Sequence, residues 1–100
     1  MNAAKRIQQA DYEDVLLFDN YSYDSALIGV TEDGRAVYDY DKMVEWLMET
    51  AGMTDLEAVE WIDYNTLRAL PYYDNAPIIV NMLPDVEVRV LSQKDKETTT

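Results

Sequence analysis

Residues 39–66 have the sequence DYDKMVEWLMETAGMTDLEAVEWIDYNT, in which two helical patterns are separated by a short break. Gly52 stands at the point where a first helix needs a residue that tolerates the left-handed conformation. Thr54, with Glu57 three positions later, has the capping-box pattern that begins a second helix. Because the stop and start signals are so close together, this stretch predicts a helical hairpin.

Both predicted helices are amphipathic when their residues are placed at about 100° per residue. The first is predicted over residues 40–51, and its apolar arc contains Met43, Val44, Leu47, Met48 and Ala51. The second is predicted over residues 55–68, and its apolar arc contains Ala58, Val59, Ile62 and Thr66. It is expected to end before Pro71, because proline disfavours the helical conformation in the residue that precedes it.

The clearest hairpin signal between strands lies before the helices. Residues 25–31 and 35–38 are apolar arms on either side of Glu32-Asp33-Gly34. An Asp-Gly pair supplies the two positive φ angles that a tight hairpin uses. Gly29, inside the first arm, is expected to mark a bulge or the close approach of another backbone.

Three other segments predict strands: a short apolar run at residues 15–18, a strand apolar enough to be central at residues 78–83, and an alternating pattern at residues 86–91. A short helix is expected over about residues 2–13 and a polar tail over about residues 92–100. The whole chain is therefore predicted to be a single α+β domain. Its helical hairpin is expected to pack on one face of a small antiparallel sheet of three to five strands.

The composition is that of a folded protein in a reducing compartment. Of its 100 residues, 48% are apolar and 11% aromatic, with only three Gly and three Pro, which is not the composition of a disordered acidic tail. There is no cysteine, which fits a reducing cytosol. No apolar run approaches the length of about 18 residues that a membrane span requires. We therefore expect a cytoplasmic location.

Net charge is the extreme property of the chain, at −12. Between residues 11 and 67 there are nine Asp and six Glu against only Arg35 and Lys42. Such a field repels the phosphates of nucleic acid and raises the rate of encounter with a basic surface. Direct binding to nucleic acid is therefore not expected.

The sequence offers little for catalysis. Without His or Cys, a nucleophile would be a Ser, Thr or Lys activated by some other base, and Ser22 and Ser25 lie in no recognisable strand-turn-helix elbow. Any chain with twenty carboxylates contains pairs at glycosidase spacing by chance, and no 12-residue calcium loop is present. We predict no enzyme activity, no metal and no cofactor.

Two sets of residues are candidates for contact with a partner. The first is a pair of rows on the outer helical faces, formed by Glu45, Glu49, Glu57, Glu60 and Tyr64. The second is a set of loop residues in which aromatic rings stand among carboxylates, formed by Asp19, Tyr21, Tyr23, Asp24, Tyr72, Tyr73 and Asp74. Rings beside carboxylates suit an interface that faces arginine. Tyr38 and Trp61 are expected in the core instead, and a merely solvated acidic face stays open as an alternative.

Part of the chain resembles a known family. The runs GVTEDGRAVYDYDKM (residues 29–43), EAVEWIDYNTLRALPY (57–72) and APIIV (76–80) are similar to small acidic proteins from phages and mobile elements of Firmicutes. The segment IDYNTxRALPY is the most specific part of a resemblance that covers about half the chain. It implies a phage-borne accessory protein and brings no catalytic residues with it.

Size, acidity and this resemblance together predict a phage-borne inhibitor that binds a basic nucleic-acid-binding surface of a host defence protein. Most specifically, they point to an anti-CRISPR protein that acts on Cas9 or its guide-RNA complex in the host cytoplasm. The alternative is an acidic interaction or adaptor domain, such as an antitoxin or phage regulator, that does not mimic nucleic acid. Salt dependence separates them, because binding through carboxylates weakens strongly with salt.

Overall fold

The computed structural model describes residues 2–83, so the strand predicted at 86–91 and the tail at 92–100 lie outside the described residues. In chain order the elements are α1 (Ala3–Gln9), β1 (Leu27–Val30), β2 (Ala36–Asp39), α2 (Tyr40–Ala51), α3 (Asp55–Trp61) and β3 (Ile78–Val80). A 3-10 turn, Asp24–Ala26, precedes β1, and the segment after α3 continues as a π-helical turn, Ile62–Thr66, and a 3-10 helix, Leu67–Tyr72.

The described sheet has three strands in the order β1-β2-β3. β1 and β2 are antiparallel, whereas β2 and β3 are parallel. The predicted α+β class is confirmed, but an all-antiparallel sheet is wrong. The chain passes through both helices between β2 and β3, and such a crossover brings the next strand back in the same direction. β2 is the central strand, and the segment at residues 78–80 forms an edge of the described sheet.

The β1–β2 hairpin confirms the prediction and refines its turn. The register shifts between Leu27 and Gly29, which is the expected bulge. Gly34 has a φ of 82° and its N–H donates to the Thr31 carbonyl over 2.9 Å. Asp33 does not take a positive φ, so this is not a two-residue primed turn. Beyond the strands, the Thr31 N–H donates to the Arg35 carbonyl over 2.8 Å, which leaves a three-residue loop that ends in a left-handed glycine.

The two ends of α2 and the start of α3 follow the sequence signals. The Asp39 side chain accepts from the Lys42 N–H at the N-terminus of α2, and Gly52 ends the helix with a φ of 70°. In the capping box, Glu57 Oε1 accepts from the Thr54 N–H over 2.9 Å and Thr54 Oγ1 accepts from the Glu57 N–H over 3.1 Å. Both helices contribute side chains to one core, while their packing as a hairpin on one face of the sheet stays a prediction.

The prediction of one regular α-helix over residues 55–68 is wrong. α3 ends at Trp61, and Leu67 N–H then bonds the Ile62 carbonyl in a π-helical turn. The following 3-10 helix includes Pro71, so the expected stop before proline is wrong. The fixed φ of proline, about −65°, fits 3-10 geometry.

The core contains side chains from α1, β1, β2, α2 and α3. Its largest fully buried members are Tyr23, Tyr38, Met43, Leu47 and Ile62. Burial of Tyr38 and of Leu47 confirms two predictions. Met48, predicted to be buried with them, is 40% exposed. It lies at the border of the apolar arc, so its side chain reaches the surface beside α3.

The N-terminal third also differs from its prediction. Residues 15–18 are half-buried but form no strand; the Phe18 N–H donates to the Tyr38 hydroxyl over 3.3 Å, a side-chain partner in place of a strand. α1 ends at Gln9 because Asp11 takes a positive φ of 64°. No helix in residues 2–83 has the length and apolar character needed to span a bilayer.

Candidate interaction surface

Tyr23, one of the predicted loop contacts, is a core residue. It has no exposed surface, and its hydroxyl lies 2.8 Å from Thr66 Oγ1 in a buried hydrogen bond. Burial raises the pKa of the Tyr23 phenol, an effect that the bond to Thr66 partly opposes. Tyr23 is therefore not part of the candidate interface.

Tyr21 belongs to a cluster of aromatic rings that includes Tyr23, and it is half-buried. Its ring packs edge-on against Trp46, with centroids 5.8 Å apart, and against Trp61 at 5.3 Å. Phe18 extends the cluster by packing against Tyr23 and Tyr38 at 5.6 and 4.8 Å. Edge-on ring pairs of this kind stabilise a packed core. Most of the surface that Tyr21 offers is therefore used inside the protein.

Asp24 also has a structural role. Its carboxylate accepts from the Ala3 N–H over 3.0 Å, and its carbonyl accepts from the Arg6 guanidinium over 3.3 Å. These bonds tie α1 to the start of β1, with Ala3 and Ile7 buried beneath. Four of the seven predicted loop residues stay exposed: Asp19, Tyr72, Tyr73 and Asp74.

Asp19 and Tyr73 line one cleft of about 340 Å³. Its other walls come mainly from apolar residues of three segments, namely Leu16, Leu17, Phe18, Asn20, Asn65, Thr66, Ala69, Leu70 and Pro77. Tyr72 and Asp74 do not line it. The loop set is thus divided between a core cluster, a structural carboxylate at Asp24, a cleft wall and two exposed residues outside the cleft.

The helical rows, in contrast, are exposed as predicted. Glu45, Glu49, Glu57 and Glu60 are all exposed, and Tyr64 is 60% exposed. Over residues 40–61 there are six carboxylates and one basic residue, Lys42. The α2–α3 segment therefore carries the most strongly acidic surface that the helices present.

Two members of these rows have additional contacts. The Glu57 carboxylate closes the capping box of α3. One face of the Tyr64 ring is covered by the Arg68 guanidinium, whose carbon lies 4.4 Å from the ring centroid. This cation–π contact shows that the Tyr64 ring accommodates a guanidinium, as expected for an electron-rich face, but leaves only its other face for a partner.

Two grooves flank the rows. The first, which we name the α2–α3 groove, has a volume of about 330 Å³ and is lined by Tyr40, Asp41, Val44, Glu45, Met48, Asp55 and Val59. The second, the α3 groove, has a volume of about 410 Å³ and is lined by Ala51, Gly52, Met53, Glu57, Glu60, Trp61, Tyr64 and Asn65. Each combines carboxylates with an apolar lining.

The α2–α3 groove contains residues that sequence reasoning missed. Asp41 precedes Glu45 by one turn, so helical spacing alone could have added it to the row. Asp55 and Met48 had no such signal, because their contribution depends on how the two helices lie beside each other. Tyr40 has a raised pKa, first because of burial and then because Asp63, Asp41 and Asp55 lie nearby.

Among residues 2–83, no group of three or more His, Cys, Asp or Glu side chains is placed to hold a metal ion. The Trp61 indole nitrogen is buried and has no hydrogen-bond partner among the described residues. It lies inside the aromatic cluster around Tyr21, close enough to the Tyr23 phenol to oppose the rise in the pKa of that group.

Comparison with known proteins does not identify the chain. No protein-family model matches it, and no curated protein and no solved structure matches it either. The resemblance to small acidic phage proteins therefore stays a prediction.

Proposed function

We propose that this protein is an inhibitor that binds a basic nucleic-acid-binding surface of a host defence protein in the cytoplasm, and that it is an anti-CRISPR protein acting on Cas9 or its guide-RNA complex. The observation that carries the proposal is the exposed, almost uncompensated set of carboxylates on α2 and α3. Both helices are capped, so these carboxylates project from a defined scaffold. The proposal involves no enzyme activity.

The carboxylates of α2 form a regular row, which supports competition with nucleic acid. Asp41, Glu45 and Glu49 follow one another at intervals of four residues, about 6 Å along the helix axis. Duplex DNA carries one charge per about 1.7 Å of its axis. The row is therefore a sparser array than the polymer it would replace, and effective competition needs shape and apolar contact as well. The two grooves offer both.

Cleavage of DNA by several Cas9 orthologues tests the proposal, with the protein added either before or after the guide RNA. Inhibition only when the protein is added first would locate the contact in the guide-binding channel, whereas inhibition in both orders would locate it on the DNA-binding surface. Absence of inhibition with every orthologue would overturn Cas9 as the partner.

An adaptor domain without nucleic-acid mimicry is the second candidate. Leu56 on α3 is 66% exposed and Tyr72 is 85% exposed, so apolar contacts on the surface are also present. The dissociation constant measured over a range of salt concentrations separates the two functions. Carboxylates that replace phosphates give a steep, nearly linear loss of affinity on logarithmic axes, and an apolar interface gives almost none.

A further inference from the structure

We infer that the α2–α3 groove receives a single arginine side chain from the basic partner. The methylene stem would lie on Val44, Met48 and Val59. The guanidinium would lie among the carboxylates of Asp41, Glu45 and Asp55. The inference rests on the proposed function, for which it names the contacting group, and it moves the centre of the interface from the outer rows to the groove between the helices.

The size and lining of the groove suit an amphipathic side chain. A volume of about 330 Å³ exceeds the share of several water molecules at about 30 Å³ each, which is enough room for one long side chain. Val44 is buried beneath the groove, while Met48 and Val59 leave part of their apolar surface open. Arginine buries its stem on such a surface and keeps its charged end at the rim.

The charge distribution selects a cation. Asp41 and Glu45 lie on α2 and Asp55 lies at the start of α3, so carboxylates border the groove on both sides. Lys42, the only basic residue of the two helices, does not line it. A phosphate or an acidic peptide would be repelled. The raised pKa of Tyr40, caused by burial and by three neighbouring carboxylates, agrees with a negative potential at this place.

Arginine fits better than lysine or a metal ion. Its planar guanidinium offers several N–H donors in a fixed fork, forms paired bonds with carboxylates, and is less strongly hydrated than an ammonium. The described residues include no group of three or more His, Cys, Asp or Glu side chains placed to hold a metal ion. A partner surface that binds phosphates is rich in arginine. The proposed partner therefore carries the side chain that is expected in the groove.

The first test uses a small probe. The blocked tripeptide N-acetyl-Gly-Arg-Gly-amide is titrated into isotope-labelled full-length protein at low salt, and amide shifts are followed by NMR. The matched control peptide has citrulline in place of arginine, which preserves the shape and removes the charge. We expect saturable shifts centred on Val44, Met48 and Val59, with binding of the citrulline peptide weaker by about tenfold or more. No binding, or shifts centred on the α3 groove at Glu60 and Tyr64, would overturn the inference.

The second test separates the groove from the general negative field. Met48→Lys would place an ammonium inside the groove, and Thr50→Lys makes the same change of charge at an exposed position of α2 that lines neither groove. We expect Met48→Lys to weaken binding of the arginine peptide by about tenfold or more and Thr50→Lys by less than about threefold. Equal losses would show that only net charge matters and would overturn the inference.

A second pair of variants covers the case in which Met48→Lys lowers the thermal midpoint. Asp41→Asn with Asp55→Asn removes two charges from the groove, and Glu49→Gln with Glu60→Gln removes two charges outside it. Only the first pair should weaken peptide binding by about tenfold, because only this pair removes carboxylates that contact the guanidinium. Equal effects of the two pairs would contradict binding of the arginine side chain in the α2–α3 groove.

The outcomes also distinguish this inference from the proposed function. A protein that inhibits Cas9 but loses affinity equally with Met48→Lys and Thr50→Lys would retain the function and lose the groove. A protein that binds the arginine peptide in the groove but inhibits no Cas9 would retain the groove and lose the named partner.

Discussion

The aromatic segment at residues 18–24 and the paired helices α2 and α3 illustrate two different fates of the same residue types. Both combine aromatic rings with carboxylates, and both were predicted to contact a partner. In the structure the rings of the segment turn inward and pack on one another and on Trp46 and Trp61, whereas the helical carboxylates point outward. A loop assignment says nothing about the direction of a side chain, while the period of a helix fixes it.

The largest expected effect on stability concerns the buried face of α2. Leu47 is fully buried and Met48, its neighbour, is 40% exposed. Leu47→Ala should reduce the free energy of unfolding by about 2–5 kcal/mol, because it removes buried contacts and leaves a cavity. Met48→Ala is the matched control and should cost less than about 1.5 kcal/mol. Urea unfolding measures both, and similar losses would contradict the assigned helical phase.

The next effect tests whether Tyr23 belongs to the core. Tyr23→Phe leaves the buried Thr66 hydroxyl without its partner, which should cost about 1–3 kcal/mol of stability. Replacing both groups, with Tyr23→Phe and Thr66→Val, should recover part of the loss, and Tyr72→Phe should change nothing measurable because Tyr72 is exposed. If Tyr23→Phe instead leaves stability intact and weakens partner binding, the aromatic segment is an interface after all.

The buried tyrosines are also expected to make the stability of the fold decline at alkaline pH. Burial raises the pKa of Tyr23 and of Tyr38 above the ordinary value of 10.0. The unfolded chain therefore loses these protons at a lower pH than the folded chain, so the stabilisation is complete below about pH 10 and declines as pH rises through the folded pKa. Urea midpoints measured across this range should fall less steeply for Tyr38→Phe than for the parent. Parallel curves would contradict the raised pKa.

A smaller effect concerns the turn that separates the two acidic helices. Gly52 has a φ of 70°, and a Cβ built there meets no atom within 4 Å, so any cost of a side chain is conformational. Gly52→Val should destabilise by about 1–2 kcal/mol. Gly29→Val is the control, since Gly29 has no positive φ and the same open surroundings, and it should change stability by less than about 0.5 kcal/mol. Equal costs would remove the special role of the turn.

These comparisons show which parts of the molecule were predictable. The caps at Thr54 and Gly52 act through neighbours in sequence, and both were predicted correctly. The parallel pairing of β3, the π-helical turn after Trp61 and the unpaired segment at residues 15–18 depend on tertiary contacts. The candidate surface divides in the same way, because the outer rows follow from helical period and the α2–α3 groove requires the relative position of two helices.

The smallest expected change in stability concerns the exposed glutamates of α2 and α3. The variant replaces four of them together by Gln, namely Glu45, Glu49, Glu57 and Glu60. Glutamate and glutamine have similar helix propensities, and with Glu57→Gln the side-chain carbonyl oxygen would still accept the capping bond. Relief of repulsion between carboxylates at i, i+4 spacing should leave the thermal midpoint unchanged or slightly raised.

The same four-Gln variant should bind the partner more weakly than the parent protein does. Four exposed ion pairs at about 0.5 kcal/mol each amount to a loss of about 2 kcal/mol, or at least about tenfold in affinity. The matched control is Tyr72→Ala with Tyr73→Ala, which alters the exposed part of the loop set and preserves all carboxylates. If the Gln variant inhibits as well as the parent while the tyrosine variant does not, the acidic rows are a solvated face. The contact would then lie at the loops, and the exposed charge would serve solubility alone.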